Sequence, residues 1–199
     1  MEAYWNHNSA YHRRILKVAG RLSGSVLDIG CGEGLLAERL AAVSACVTAV
    51  DSDEAALALA SERTKAIGNV KLIHADFLTM SASPASYDLV IFVASLHHMD
   101  LPGALSKAKD LLRPGGELFV VGLSANRTLG DHLLSAAVFP LVRIMSAVHR
   151  ERRGLGVVTT VPTERLSDIR TLSVAILPGA HLRRLLYYRY MLQWTKPTC

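Results

Sequence analysis

The chain has 199 residues, 50% of them hydrophobic and 20% charged, with a formal net charge of +5. That length favours one domain with a sizeable core, and the balance excludes a disordered or low-complexity chain. No N-terminal stretch reads as a signal peptide, and the longest apolar run, 133–148, is broken by Pro140 and Arg143 and is too short for a membrane span. The cysteines, Cys31, Cys46 and Cys199, lack metal-ligand spacing, and their odd number argues against a complete disulfide set. No metal centre is expected, and the setting expected is reducing and cytoplasmic. Much of the positive charge lies in 143–153 and at Arg183, Arg184 and Arg189, interleaved with Leu and Tyr. This reads as a solvated face rather than a nucleic-acid surface.

In chain order, 11–19 is predicted as a helix with Ile15, Leu16 and Ala19 on one side. A strand over 25–29, a helix over 34–42 and a strand over 46–50 ending in Asp51 follow. A helix over 54–67, stopped by Gly68 and Asn69, leads to strands at 70–74 and 87–94. The next helix, 101–112, has Pro102 in its first turn, and Arg113-Pro114-Gly115-Gly116 turns the chain into a strand over 117–121. Beyond it we expect a helix over 131–150 bent at Pro140, and a loop over 154–162. A helix capped by Thr163 should run to Leu177, with strand character over 181–196. No turn residues interrupt 185–190, so a tight hairpin there is not expected. Alternating strands and helices give an α/β chain with a mostly parallel sheet covered on both faces.

Residues 26–34 read Val-Leu-Asp-Ile-Gly-Cys-Gly-Glu-Gly: an apolar strand ending near Asp28, then glycines at 30, 32 and 34, then a helical pattern. A strand, a glycine turn and a helix N-terminus form the place where an open α/β sheet holds a nucleotide-like ligand. The dinucleotide fingerprint G-x-G-x-x-G fails when counted from Gly30, and passes only in its loose form, with Ala37 last, when counted from Gly32. Asp51 ends the second strand, where a carboxylate can accept from both hydroxyls of a ribose. That alone fits either a dinucleotide or another ribose-bearing cofactor. Asp76, followed by Phe77, ends the third strand, where a carboxylate can accept from an adenine amino group and an apolar side chain can cover the ring.

These segments, with 87–90 (Tyr-Asp-Leu-Val), 95–98 (Ser-Leu-His-His) and 111–116 (Leu-Leu-Arg-Pro-Gly-Gly), follow in register. Together they resemble the class I S-adenosylmethionine-dependent methyltransferases, of the branch described as methyltransferase domain 11 or 25. The likeness covers about residues 24–123. The ends, at 7–12, 177–180 and 189–194, are similar to a group of small bacterial methyltransferases. The resemblance implies a Rossmann-like single domain over 1–199, with an N-terminal cap helix at about 1–20 and an acceptor-side insertion at about 123–162. It implies a seven-stranded sheet with an antiparallel last strand, and S-adenosylmethionine as cofactor. It further implies cofactor contacts at Gly30, Cys31, Gly32, Asp51, Ser52, Asp76, Phe77, Val93 and Ala94, with Tyr11 near the methionyl carboxylate and Asp28 orienting the turn.

Methyl transfer needs alignment and exclusion of water, and needs a base only where the nucleophile must lose a proton. His97, just past the fourth strand, is the candidate base, with His98 behind it; the competing reading makes the pair structural. Tyr4, His7 and His12 are candidates to line the acceptor pocket. Cys31 reads as a small residue tolerated in the turn, and Trp5, Trp194, Tyr187, Tyr188 and Tyr190 read as core and sheet-face residues. After the fourth strand the chain has Val93-Ala94-Ser95-Leu96, not the Asn/Asp-Pro-Pro-Tyr/Phe of enzymes that methylate base amines, and it has no Pro-Cys nucleophile. The partner expected is therefore a small-molecule acceptor, with nucleic acid disfavoured and a homodimer left open. The alternatives are a non-catalytic or regulatory cofactor-binding protein and an RNA or DNA methyltransferase.

Overall fold

The structure is a computed structural model that describes residues 9–125, 162–185 and 189–198. Seven strands form one sheet in the order β3-β2-β1-β4-β5-β7-β6. They are β1 Ser25–Ile29, β2 Cys46–Asp51, β3 Val70–His74, β4 Tyr87–Val93, β5 Leu112–Leu123, β6 His181–Arg184 and β7 Arg189–Thr195. The pairs β1–β2, β1–β4, β2–β3 and β4–β5 are parallel, whereas β7 runs antiparallel to both β5 and β6. The described helices are α1 His12–Leu22, α2 Leu35–Ala41, α3 Glu54–Thr64, α4 Leu101–Leu111 and α5 Leu166–Ile176.

Two apolar layers cover the sheet. One joins Leu27, Ile29, Phe92 and Val120 to Leu105 and Ala108 of α4 and Ile169 of α5. The other joins Val26, Ala49, Ile91 and Phe119 to Ile15 and Ala19 of α1 and Leu36 and Leu40 of α2. Alternate strand residues serve opposite layers, as the pleat requires. Caps fix the helix starts: Asp53 accepts from the N–H groups of Ala55 and Ala56, and Asp100 from that of Gly103. At the amino edge, the Asp88 carboxylate accepts from Ser25 N–H (2.7 Å) and from Arg113 (2.5 Å), joining β1, β4 and β5.

The structure departs from the sequence expectations in four places. Strand β5 starts at Leu112, so Arg113–Gly116 is a bulge within it: Tyr87 faces Leu112 while Leu89 faces Glu117. Helix α3 ends at Thr64, and Asn69 instead ties the start of β3 to the end of α2, donating to the carbonyls of Ala41 (2.9 Å) and Ser44 (3.1 Å). Thr163 is no cap, because α5 begins at Leu166 with Arg165 as its N-cap residue and no side-chain cap bond. The chain over 181–195 folds back on itself: β6 pairs antiparallel with β7, Arg184 opposite Tyr190, and Leu185 N–H donates to Arg189 O at 2.8 Å. The residues expected as a helix over 131–150 and a loop over 154–162 lie outside the described residues, save for Pro162. Among the described residues, no helix is long and apolar enough to cross a membrane.

Candidate cofactor and acceptor site

The strand order reverses direction between β1 and β4, and a crevice at that point, at the carboxyl ends of the strands, is where open α/β sheets bind ligands. The glycine turn leaves β1 there. Gly30, Gly32 and Gly34 have φ of 72°, 53° and 74°, the left-handed region where side chains are strained. The N–H groups of Gly30 and Cys31 both donate to Val50 O, at 2.8 and 3.1 Å, which holds the turn to β2. A Cβ on Gly30 would lie 2.3 Å from Ser95 Cβ, and one on Gly34 would lie 2.9 Å from Ala60 Cβ. A Cβ on Gly32 would meet nothing within 4 Å, so the turn is open to a ligand at that point.

Two carboxylates flank this opening. Asp51 accepts from Gly32 N–H (2.7 Å) and Asp53 N–H (3.0 Å). Asp28 is 1% exposed, and its Oδ2 has no hydrogen-bond partner among the described residues. Burial, and then the charge of Asp51, push the Asp28 carboxyl up to about 7. Neither acid has a salt bridge among the described residues. The pair suits a cationic ligand and opposes a pyrophosphate, which counts against the dinucleotide reading.

Behind the turn lies an ion-pair cluster that the sequence reading missed. The Arg63 side chain, 2% exposed, donates to Glu33 O (3.0 Å) and Glu38 Oε2 (3.2 Å), and its Nη2 lies 3.7 Å from Glu33 Oε2. Nothing in the spacing of α3 distinguishes Arg63 from an exposed helical arginine, though an acid between two turn glycines is a signal that it needs a partner. Burial, with Asp28 and Asp51, pushes the Cys31 thiol up, so it stays protonated and unreactive.

The remaining sequence candidates divide by what their side chains do. Asp76 is exposed and accepts from Leu78 N–H (2.7 Å) and Thr79 N–H (3.2 Å). Phe77 is buried edge-on against Phe92, ring centroids 5.5 Å apart, with Lys107 over its face. Its side chain therefore belongs to the core rather than covering a ligand ring. Ser52 is exposed, and its carbonyl accepts from His74 Nε2 at 3.0 Å. After β4, Val93 is half-buried and Ala94 holds a positive φ of 55°. Ser95 then donates from Oγ to Ile29 O at 2.5 Å.

Tyr11, half-buried at the start of α1, has its phenol pushed up by burial, an effect that the nearby Arg189 cation opposes. His12, a candidate to line the acceptor pocket, is buried, and its Nδ1 lies 3.0 Å from Arg39 Nη1 and accepts from it. Burial and that cation lower its pKa to about 4, so it is a neutral tie between α1 and α2. His97 and His98 sit on the one-turn helix Leu96–His98, ring centroids 4.1 Å apart. Tyr4, Trp5, His7, Tyr187, Tyr188 and Cys199 lie outside the described residues. Tyr190 and Trp194 are buried core residues, and Trp194 Nε1 donates to Pro178 O at 2.9 Å.

Comparison with known proteins agrees with this geometry. A family profile described as "Methyltransferase domain" matches residues 26–116. An uncharacterized methyltransferase of Mycobacterium tuberculosis (strain ATCC 25618 / H37Rv) is 35% identical over 198 residues, covering 99% of this chain and 100% of that protein. A ubiquinone biosynthesis O-methyltransferase of Sodalis glossinidius is 36% identical over 116 residues, 56% of this chain and 47% of that protein. Among solved structures, the YcgJ protein of Bacillus subtilis superposes with a TM-score of 0.70 at 16% identity, covering 96% of this chain and 100% of that one. The N-methyltransferase NodS of Bradyrhizobium japonicum, in complex with S-adenosyl-L-homocysteine, gives 0.62 at 18% identity, covering 94% and 87%. The chain belongs to the class I S-adenosylmethionine-dependent methyltransferases, and S-adenosylmethionine is its cofactor. The residues at the switch point fit that group: an open Gly32 cradle and a buried, unpartnered Asp28 oxygen beside Asp51.

Proposed function

We propose that this methyltransferase acts on a small molecule, holding its cofactor at the glycine turn between Asp28 and Asp51. The observation that carries the site assignment is the pairing of those two carboxylates around a turn open at Gly32. S-adenosylmethionine, when bound, supplies an electrophilic methyl group whose leaving group is a neutral thioether.

The chain's residues position and exclude water. Asp51 accepts from the ribose, Asp28 faces the cationic amino-acid head, and main chain at Gly30 and Gly32 allows close approach. Asp76, the main chain of Phe77, Ser52, Val93 and Ala94 line the adenine and ribose side, and Tyr11 closes the site from α1. The left-handed Ala94 is the kind of backbone strain that clusters at functional sites. His97 takes a proton from the acceptor where one must leave.

The small-molecule reading rests on Val93–Leu96 and on the apolar segment 123–162, which reads as an acceptor wall. A relative named as a ubiquinone biosynthesis O-methyltransferase matches 56% of the chain, which accords with a small-molecule acceptor. The two free cysteines among the described residues, Cys31 and Cys46, accord with a reducing, cytoplasmic setting.

The test is turnover with methyl-labelled cofactor against a panel of hydroxylated, amino and enolic small molecules, with RNA and DNA alongside. Label in a small molecule, lost in Asp51→Ala, is expected. Salt-sensitive label in nucleic acid would overturn the acceptor class. Cofactor binding with no transfer to any acceptor would favour the regulatory reading.

A further inference from the structure

His97, Glu164 and Tyr190 come together from three parts of the chain. With Leu96, Leu101 and Ile169 they line a cavity of about 10 Å³ at the carboxyl side of β4 and β5. His97 is fixed by the one-turn helix after β4, whose Ser95 is tied to Ile29. Glu164 is fixed after the 126–161 segment by its carbonyl, which accepts from Ala125 N–H at 2.9 Å, and by the adjoining bridge between Ala125 and Arg165. Tyr190 is held over Gly122, where a Cβ would meet its ring at 2.2 Å.

A carboxylate against an apolar wall is costly unless donors face it. The donors lining this cavity are the imidazole and the phenol. The cavity has about the volume that one water requires, with three polar groups to hold it.

We propose that Glu164 is a positioning residue for His97, holding the imidazole across this cavity in the state that accepts the proton of the methyl acceptor. The proposal rests on the methyl-transfer reading given above. In the step, the acceptor's proton passes to the outward ring nitrogen of His97 as the acceptor atom bonds the methyl carbon. The carbon–sulfur bond breaks, with its electron pair remaining on sulfur. The Glu164 carboxylate across the cavity favours the imidazolium that forms. Burial, and then that same carboxylate, push the Tyr190 phenol up, so the tyrosine stays protonated and does not compete as a base. Glu164 and Tyr190, which line the cavity with the imidazole, and the neighbouring His98 ring are the titratable groups that this arrangement brings to it.

The experiment is an NMR titration of the His97 ring in the full-length protein, assigned with His97→Gln, in wild type, Glu164→Gln and Glu164→Asp. Glu164→Gln should lower the ring pKa by about one unit. Glu164→Asp should recover part of the shift. The acidic limb of the kcat profile should move down with the ring while KM for the cofactor stays unchanged. An unchanged His97 titration in folded Glu164→Gln overturns the proposal. Full transfer activity in His97→Ala would instead overturn the base role of His97 given above, and the ring titration would still decide whether Glu164 acts on it.

Discussion

Gly30 and Ser95 are fitted to each other across the switch point of the sheet. A Cβ on Gly30 would stand 2.3 Å from Ser95 Cβ, while Ser95 Oγ donates to Ile29 O at 2.5 Å. The turn that leaves β1 and the turn that leaves β4 therefore hold one shape together, and the cofactor cradle and the His97 helix are positioned by the same contact.

That contact separates two glycines that look alike in sequence. Gly30→Ala combines positive φ with overpacking against Ser95 and should cost about 2–4 kcal/mol. Gly32→Ala meets open space and should cost about 1 kcal/mol, from φ alone. On the proposed cofactor site the order should reverse in binding for the folded variants, because the turn is open at Gly32. Urea unfolding and titration with S-adenosylhomocysteine read the two effects separately.

The buried Arg63 cluster supports the same turn from behind. Arg63→Met leaves the Glu33 carboxylate, 9% exposed, without its cation. The loss should be about 3 kcal/mol of stability. An unchanged denaturation midpoint would mean that Glu33 reaches water when its partner is removed.

Asp28 ties stability to pH. Its folded pKa is about 7 against 3.8 for an ordinary aspartate. Between those values the native state binds more protons than the unfolded state, so the stability of the cofactor-free protein should fall as pH rises from about 4 to about 7 and level off above. Asp28→Asn should flatten that slope in thermal unfolding. A cationic head beside Asp28 favours the carboxylate, so cofactor binding below pH 7 should release a proton. Calorimetry in buffers of different ionisation enthalpy detects it.

Local chemistry accounts for what the sequence made legible. Asp28, the turn glycines and Asp51 follow from an apolar run, a glycine spacing and a second strand end, all short-range signals. Long-range pairing does not announce itself this way. The β6–β7 hairpin has no turn residues to mark it, because 181–195 is organised by β7 pairing with β5, as in Gly122 opposite Tyr190. His12 and Arg63 look like surface residues in their helices and are buried only by packing against α2 and the turn before it, distant in sequence. Phe77 is drawn from the ligand side by the Phe92 ring, an edge-on contact that no spacing encodes.

The central claim is that the turn at Asp28–Gly34, with Asp51, holds S-adenosylmethionine. Titration calorimetry of wild type and of Asp51→Ala, each shown to be folded, with S-adenosylhomocysteine and with NAD tests it most directly. The account predicts micromolar binding of the methionine-derived cofactor, no NAD binding, and a loss of about tenfold or more in Asp51→Ala, as removal of a charged hydrogen-bond acceptor implies. Unchanged affinity in the variant, or preference for NAD, would contradict it.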